Sequence, residues 1–561
     1  MRRQSLLLSS ARQRCRPRET LLRVAVVTCG ISAAAVTVAL VSCAQVTAAT
    51  AGDVGRVARA TALPPVSAPY EIGSPVLRSI WVDPRSGNDG RSGRTRRQAL
   101  RTLAAAWLRI PRGRVLTGTG YRIRITPGTL AAAGVPNYFE SRYGTYRFPI
   151  LIEAADGSGT VTLSAANIYD TRYLYLLGLR FASSIGDALH CEKCDHFLLR
   201  DSVVRGAPRA SGKVGDLLKV NQSQHVYLES NDISGASDNA VDFVAVQYAT
   251  ILSNRIHDSN DWCAYVKGGS ASVRVSGNEI YDCGTGGFSA GQGTGFQFMT
   301  WPWLQYEAYD VKVTNNVVHD VEGAGLGVNG GYAVLLAHNT LYRVGTRDHL
   351  LEFVAGHRSC DGRPGDDGRS RCAAWLARQG FGTTRVDDGE NYVRIPNNHV
   401  YVYDNLIFNP PGTQSRYMHI AVARPYAGEW QAGSNVPVPA RFDADLRFRG
   451  NVVWDGPRGH PSGLGGDAGC RDENPTCNDT RYRTENRVNS VRPVLASPES
   501  GDYALTPASA EALSARAAPA PAFRWADAPA GVPVGSLSNA VPRDRKGVLR
   551  GSRSTPGAYA G

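Results

Sequence analysis

From about residue 146 the chain is written in short β-type runs such as "VYL", "TIL", "VRV" and "VKV". Their alternation has the two-residue period of strands, and no helical period competes with it there. The runs end again and again on Asn, any residue, then an aliphatic one. "SNDI", "SNRI", "GNEI", "NNVV", "HNTL", "DNLI" and "GNVV" place these asparagines at Asn231, Asn254, Asn278, Asn316, Asn339, Asn405 and Asn451. The separations are 23, 24, 38, 23, 66 and 46 residues: a unit of 23, its double, and two steps lengthened by insertions. A repeat of that length without helical period predicts an all-β fold, a right-handed parallel β-helix whose coils stack at about 4.8 Å. Asparagines at one register then form a ladder of amides, a structural feature.

The insertions fall near 291–309 and 345–398. The first, "FQFMTWPWLQYEAY", carries Phe296, Phe298, Trp301, Trp303, Tyr306 and Tyr309 within fourteen residues. Flat rings suit the apolar side of sugars, so Trp301, Trp303 and Tyr306 are expected to bind substrate, with Trp301 or Trp303 exposed. The second holds His349, Glu352 and His357, and its Arg347 and Arg358 are expected to contact acidic sugars. At the coil corners, His257, Tyr281 and His319 are each followed by an aspartate (Asp258, Asp282, Asp320), which reads as turn chemistry.

Residues 1–43 change the picture of where the protein works. Seven arginines and one glutamate precede the apolar stretch "VAVVTCGISAAAVTVALVSC", an export segment. "LVSC" resembles a bacterial lipobox, which would make Cys43 a lipidated first residue; cleavage after "VTA" at 46–48, or retention as a single anchor, are alternatives. Without this segment the net charge falls from +13 to +7. That is compatible with an acidic polysaccharide as partner, and no concentrated basic run remains for nucleic acid. The protein is expected to be extracellular or in the cell envelope, monomeric, and held to a membrane only through its N-terminus. The eight cysteines after residue 43 fall in close pairs, 191/194, 263/283, 360/372 and 470/477, which in an exported chain reads as disulfides: Cys191, Cys194, Cys263, Cys283, Cys360, Cys372, Cys470 and Cys477.

"SIWVDPRSGNDGRSGRTRRQALRTLAAAW" at 79–107 resembles the entry segment of secreted β-helix proteins of the pectate-lyase-like superfamily. "YRFPILIEAADGSGTVTL" at 146–163 resembles their first full coil, and "PESGDYALTPASAEAL" with the residues after it resembles their closing segment. The resemblance implies a short N-terminal capping helix and one domain over 76–561. A linker at 44–75 precedes it; the core coils cover about 146–460 and the closing segment 461–561.

Lysine is scarce: six against 56 arginines, five of the six between 193 and 312. Counted back from the ladder, Lys219 and Asp242 stand 12 before their asparagines and Lys267 stands 11 before its own, which predicts nearly one column. Asp216 and Asn239 share another column, with Asp238 beside Asn239. A uronate lyase needs such a patch. Ca²⁺ on oxygen ligands acidifies the proton beside a carboxylate, and a base removes it. Lysine can act as that base, where arginine stays protonated.

Lys267 and Lys219 are therefore the catalytic candidates, with Asp216, Asp238, Asn239 and Asp242 as candidate Ca²⁺ ligands. "DNAVD" at 238–242 resembles the Ca²⁺-binding cluster of one pectate lyase family. "AYVKGG…GNEIYDCGTGGFSAGQG" resembles the order in the chondroitinase-B and alginate lyase family, though Trp262 and Ala264 stand where that family has acids and its arginine is missing. Two other readings stay open: a glycoside hydrolase using carboxylates from Asp258, Asp282, Glu307 and Glu322, and a non-catalytic glycan-binding or structural surface protein.

Overall fold

The computed structural model describes residues 68–561, apart from 361–367, 386–391, 418, 429–430, 432, 457–462, 465–468, 526–528 and 530–537. The export segment and Cys43 lie outside the described residues. Each coil contributes three short strands, and equivalent strands of successive coils pair in parallel. One coil shows the plan: Val241–Val244, Gln247–Leu252 and Arg255–Ser259, followed by Trp262–Lys267 of the next. Three parallel faces result. The first includes Leu189–Glu192, Leu218–Asn221, Val241–Val244, Trp262–Lys267, Gly286–Gly291, Ala324–Asn329 and Leu351–Val354. The expected right-handed parallel β-helix is the fold.

Inward positions are apolar on every face. Leu218, Val241, Ala264, Phe288, Leu326 and Leu351 follow one another in register and are buried in the core. The asparagine ladder is continuous. Asn231 Nδ2 donates to Asn254 Oδ1 (2.9 Å), and the pattern repeats through Asn278, Asn316, Asn339, Asn405 and Asn451 to Asn486. Each carbonyl oxygen also accepts the backbone N–H of the preceding rung, so buried corner amides that face no strand are satisfied.

A five-residue helix, Leu103–Trp107, closes the N-terminal end, burying Leu103, Ala106 and Trp107; Thr102 caps it by accepting from Ala105 N. The four cysteine pairs are disulfides. Cys263–Cys283 ties the start of Trp262–Lys267 to the end of Glu279–Cys283, closing that coil.

The two insertions join each other. Gly293–Gly295, Gly356–Ser359 and Val393–Ile395 form a small sheet of their own. Phe296, Met299 and Leu304 of the first insertion pack on Cys360 and Cys372 of the second. After residue 515 the chain returns along the coils: Arg545 Nη1 donates to the Asn278 carbonyl and Arg550 Nη2 to Asn315 Oδ1. Among the described residues no helix is long and apolar enough to cross a membrane.

Candidate active site

The polar patch lies on the outer side of the first face, where alternation turns every second residue outward. One outward column runs His190, Lys219, Asp242, Tyr265, Ser289, Gly327, Glu352. Lys267 is therefore not in the column of Lys219 and Asp242. Tyr265 takes that place, and Lys267 pairs with Val244. The cause is one extra residue: the turn that holds Ala245 and Val246 in one coil holds Gly268, Gly269 and Ser270 in the next, and counting back from Asn278 crosses it. Both glycines have positive φ (66° and 80°), and a Cβ on Gly269 would stand 2.1 Å from the Trp303 carbonyl. A two-residue displacement leaves Lys267 on the same side of the strand, about 6.6 Å along it.

The two lysines have unlike surroundings. Lys219 Nζ lies 2.6 Å from Asp216 Oδ2 and 2.7 Å from Asp242 Oδ2. Burial works against its charge, but Asp242 and Asp216 outweigh that and hold it above the ordinary lysine range. An ammonium so held is a poor base, and the structure places Lys219 as a brace. Lys267 Nζ instead meets Tyr265 Oη and Gln292 Oε1, both at 3.0 Å, and lies over the Tyr265 ring. Among the described residues no carboxylate pairs with it.

Asn239 ties the carboxylates to this pair, its Nδ2 lying within reach of Asp216 Oδ1 (2.9 Å), Asp238 Oδ1 (3.0 Å) and Tyr265 Oη (3.1 Å). Asp242 is 1% exposed. Burial foremost, set against the Lys267 charge and reinforced by Asp216, raises its carboxyl to about 6. At the rim, desolvation and then repulsion from Asp216 and Asp261 raise Asp238 to about 6. Asp216 goes the other way: burial would raise it, but Lys219 and Asn239 bring it below the usual range.

Asp261, absent from the sequence candidates, stacks on Asp238, its N–H donating to the Asp238 carbonyl (3.1 Å). It lies one repeat of 23 after Asp238, just as Asn239 lies one repeat after Asp216, so the period held that signal.

The patch gathers oxygen donors, although its carboxylates are not among the groups of described residues whose ligand atoms all lie within 4.8 Å of one another. Asp216, Asp238, Asp242 and Asp261 exceed the two ammonium groups in charge. Asp242 Oδ1 and Asn239 Oδ1 are buried oxygens that accept no hydrogen bond from any described residue. Hard oxygen donors of that kind suit Ca²⁺.

The first insertion stands beside the patch: Gln292 holds Lys267, and the Phe298 carbonyl accepts from Gln222, in the turn after Leu218–Asn221. Of its rings, Trp301 is 46% exposed and Phe298, not among the sequence candidates, 49%. Tyr306 is buried against Tyr309, Tyr332 and Phe381, so it cannot receive a sugar. Trp303 is half-buried against the same cluster and is not the exposed ring.

Arg358 is a second correction. It is 0% exposed, and its guanidinium is paired to Glu307 and donates to the carbonyls of Leu304, Gln305 and Phe381. A long cation beneath two insertions is satisfied by the loop backbone that would otherwise lack partners. Arg347 is exposed, pairs with Glu322 (3.4 Å) and donates to the Gly284 carbonyl in the turn before Thr285, a neighbour of Asp261. It borders the patch.

Of the hydrolase reading's carboxylates, Asp258 (4.0 Å) and Glu322 (3.2 Å) share the Arg209 guanidinium, which also donates to the Asp282 carbonyl, and Glu307 stands apart. Glu307 is committed to Arg358, Thr294 Oγ1 and Gly268 N; Glu322 pairs with Arg209 and Arg347. Asp258 and Asp282 both sit at corners with positive φ (56° and 53°), the turn role expected of them.

Residues 187–347, which contain the patch, match the family model described as a right handed beta helix region. The protein is a right-handed parallel β-helix. Among solved structures it is similar to pectate lyase Pel9A, 14% identical over 60% of this chain and 76% of that one (TM-score 0.35). It is also similar to the A-module of Azotobacter vinelandii mannuronan C-5 epimerase AlgE6, 12% identical over 63% and 91% (TM-score 0.36). XylC in complex with xylose is 8% identical over 86% and 98% (TM-score 0.45). No curated protein matches it by sequence. The site chemistry is therefore read from this chain's own residues.

Proposed function

We propose that the protein is an exported carbohydrate-active enzyme, a polysaccharide lyase that cleaves a uronate-containing polymer by β-elimination with Lys267 as base. One observation carries the reading. Tyr265 and Gln292 hold Lys267 Nζ at 3.0 Å each, no described carboxylate pairs with it, and the side chain is only part-buried. Lys267 Nζ takes the proton from the carbon beside the uronate carboxylate. The electron pair of that C–H bond forms the new double bond, the glycosidic C–O bond breaks, and the departing oxygen takes the proton from the ammonium just formed. Tyr265 and Gln292 hold the nitrogen in place, while Trp301 and Phe298 offer rings to neighbouring sugars and Arg347 a positive charge at the rim. Asp238, Asn239 and Asp261, with Asp242 beneath, would hold Ca²⁺; bound there, it would neutralise the substrate carboxylate and acidify the adjacent proton.

The test is incubation with a panel of polyuronides and neutral glycans, with calcium or with chelator, read as ultraviolet absorbance of unsaturated ends. Absorbance lost with chelator and in Lys267→Ala supports the reading. Reducing ends without absorbance replace it with a hydrolase, and binding without either product replaces it with a non-catalytic glycan-binding protein. Full activity in Lys267→Ala removes Lys267 from the role of base.

A further inference from the structure

On the face after the first, successive coils carry a residue of positive φ at one register position: Tyr173 (51°) within Ala166–Leu177, and His196 (58°), His225 (54°) and Tyr248 (56°), each second in its strand. The left-handed backbone turns these side chains alike, and coil stacking piles the rings. Tyr173 stacks on His196 at 4.0 Å, His196 on His225 at 4.2 Å, and His225 on Tyr248 at 5.2 Å, with interplanar angles of 12°, 23° and 12°. The two imidazoles are thus held parallel between two tyrosines, and their orientation is not free.

Both aim the same nitrogen at one carboxylate. His196 Nδ1 lies 2.7 Å and His225 Nδ1 2.9 Å from Asp195 Oδ1, and the three ligand atoms lie within 4.8 Å of one another. All three residues are half-buried, so an ion has a path to them. One anionic oxygen and two imidazole nitrogens, oriented by stacking, make a three-ligand set with an open position, the pattern of a zinc site that keeps room for water or another ligand. Imidazole nitrogen separates this set from the all-oxygen patch around Asp238: it selects borderline transition ions over calcium.

We propose that Asp195, His196 and His225 form a binding site for a divalent transition metal of the zinc class, distinct from the patch around Lys267. In the metal-bound form both Nδ1 atoms present lone pairs, and the ring protons reside on Nε2. Tyr248, the last ring of the stack, meets Trp303 of the first insertion edge-on at 6.4 Å. The ion would therefore clamp two coils, with Tyr248 between it and the first insertion.

The test uses chelator-stripped, tag-free protein titrated with Zn²⁺ by calorimetry, with Co²⁺ as a spectroscopic substitute. One saturable site per chain is expected, insensitive to excess Ca²⁺, with a Zn²⁺-dependent rise in melting temperature. His225→Ala abolishes it, and Asp195→Asn, which keeps a hydrogen-bond acceptor, weakens it by at least about tenfold. Absence of saturable binding to the wild type, or binding unchanged in Asp195→Asn, overturns the proposal. Neither result depends on lyase activity, so this site and the reading of Lys267 stand or fall separately.

Discussion

Asp242 Oδ2 lies 2.7 Å from Lys219 Nζ, across one step of the solenoid, and the aspartate is almost wholly buried while the lysine reaches the rim. Removing one partner of such a pair leaves an uncompensated charge, whereas removing both exchanges it for packing. Lys219→Met is expected to destabilise the fold by about 2–4 kcal/mol. Lys219→Met/Asp242→Asn should recover more than half of that loss. Urea unfolding of the wild type, both single variants and the double variant measures this. An additive cycle would show that the pair does not act as a unit.

Lys267 has the opposite profile. Its partners are neutral and part of it is exposed, so Lys267→Ala should change stability by less than about 1 kcal/mol. The same change should lower formation of unsaturated ends by about 100-fold or more, the scale of a lost general base. Tyr265→Phe keeps the ring beneath the ammonium and deletes only the oxygen that positions it. Its kcat should fall by about 10-fold or more, with KM nearly unchanged. Initial rates against substrate concentration separate the two effects.

The sequence makes the solenoid legible because its ladder recurs: each Asn side chain makes four hydrogen bonds at one corner, and that demand repeats every coil. Asn486 escaped notice because it comes 35 residues after Asn451, in "TENRV" of the closing segment, where no strand triplet precedes it. The site was legible in part. Asp216, Asn239 and Asp238 follow the period and meet as expected. Lys267 was placed one column out because one added residue, absorbed by two glycines, is invisible when counting from a distant asparagine. Tyr306 and Arg358 were misread for another reason. Composition shows that an insertion is aromatic or basic, but which side faces its own core depends on a partner segment about fifty residues away.

Glu307 and Arg358 are that partnership. Both side chains are fully buried, and together they join the two insertions. Arg358→Met takes the guanidinium from buried Glu307 and the donor from the Leu304, Gln305 and Phe381 carbonyls, and should cost about 3–5 kcal/mol. Arg347→Met, at the surface, should cost less than about 1 kcal/mol. Limited proteolysis should cut Arg358→Met within 355–397 at denaturant concentrations where the wild type stays intact. Equal stability and protection in the two variants would show that the buried pair does not hold the insertions.

Asp404 supplies a pH dependence with a definite sign. It lies under the returning C-terminal segment and accepts from Ala518 N–H at 3.1 Å, with Arg550 and His338 facing it. Burial foremost raises its carboxyl from 3.8 to about 7, although the Ala518 bond and Arg550 oppose the shift. The folded state thus holds a proton that the unfolded chain has released, so stability from this group falls as pH rises from about 4 through 7. Asp404→Asn keeps the acceptor and removes the titration. Between pH 5 and pH 8 the variant should gain about 2 kcal/mol of stability relative to the wild type. Buried His338, common to both proteins, cancels in the comparison. Urea midpoints at the two pH values measure it, and parallel pH profiles would show that Asp404 titrates as an ordinary exposed carboxylate.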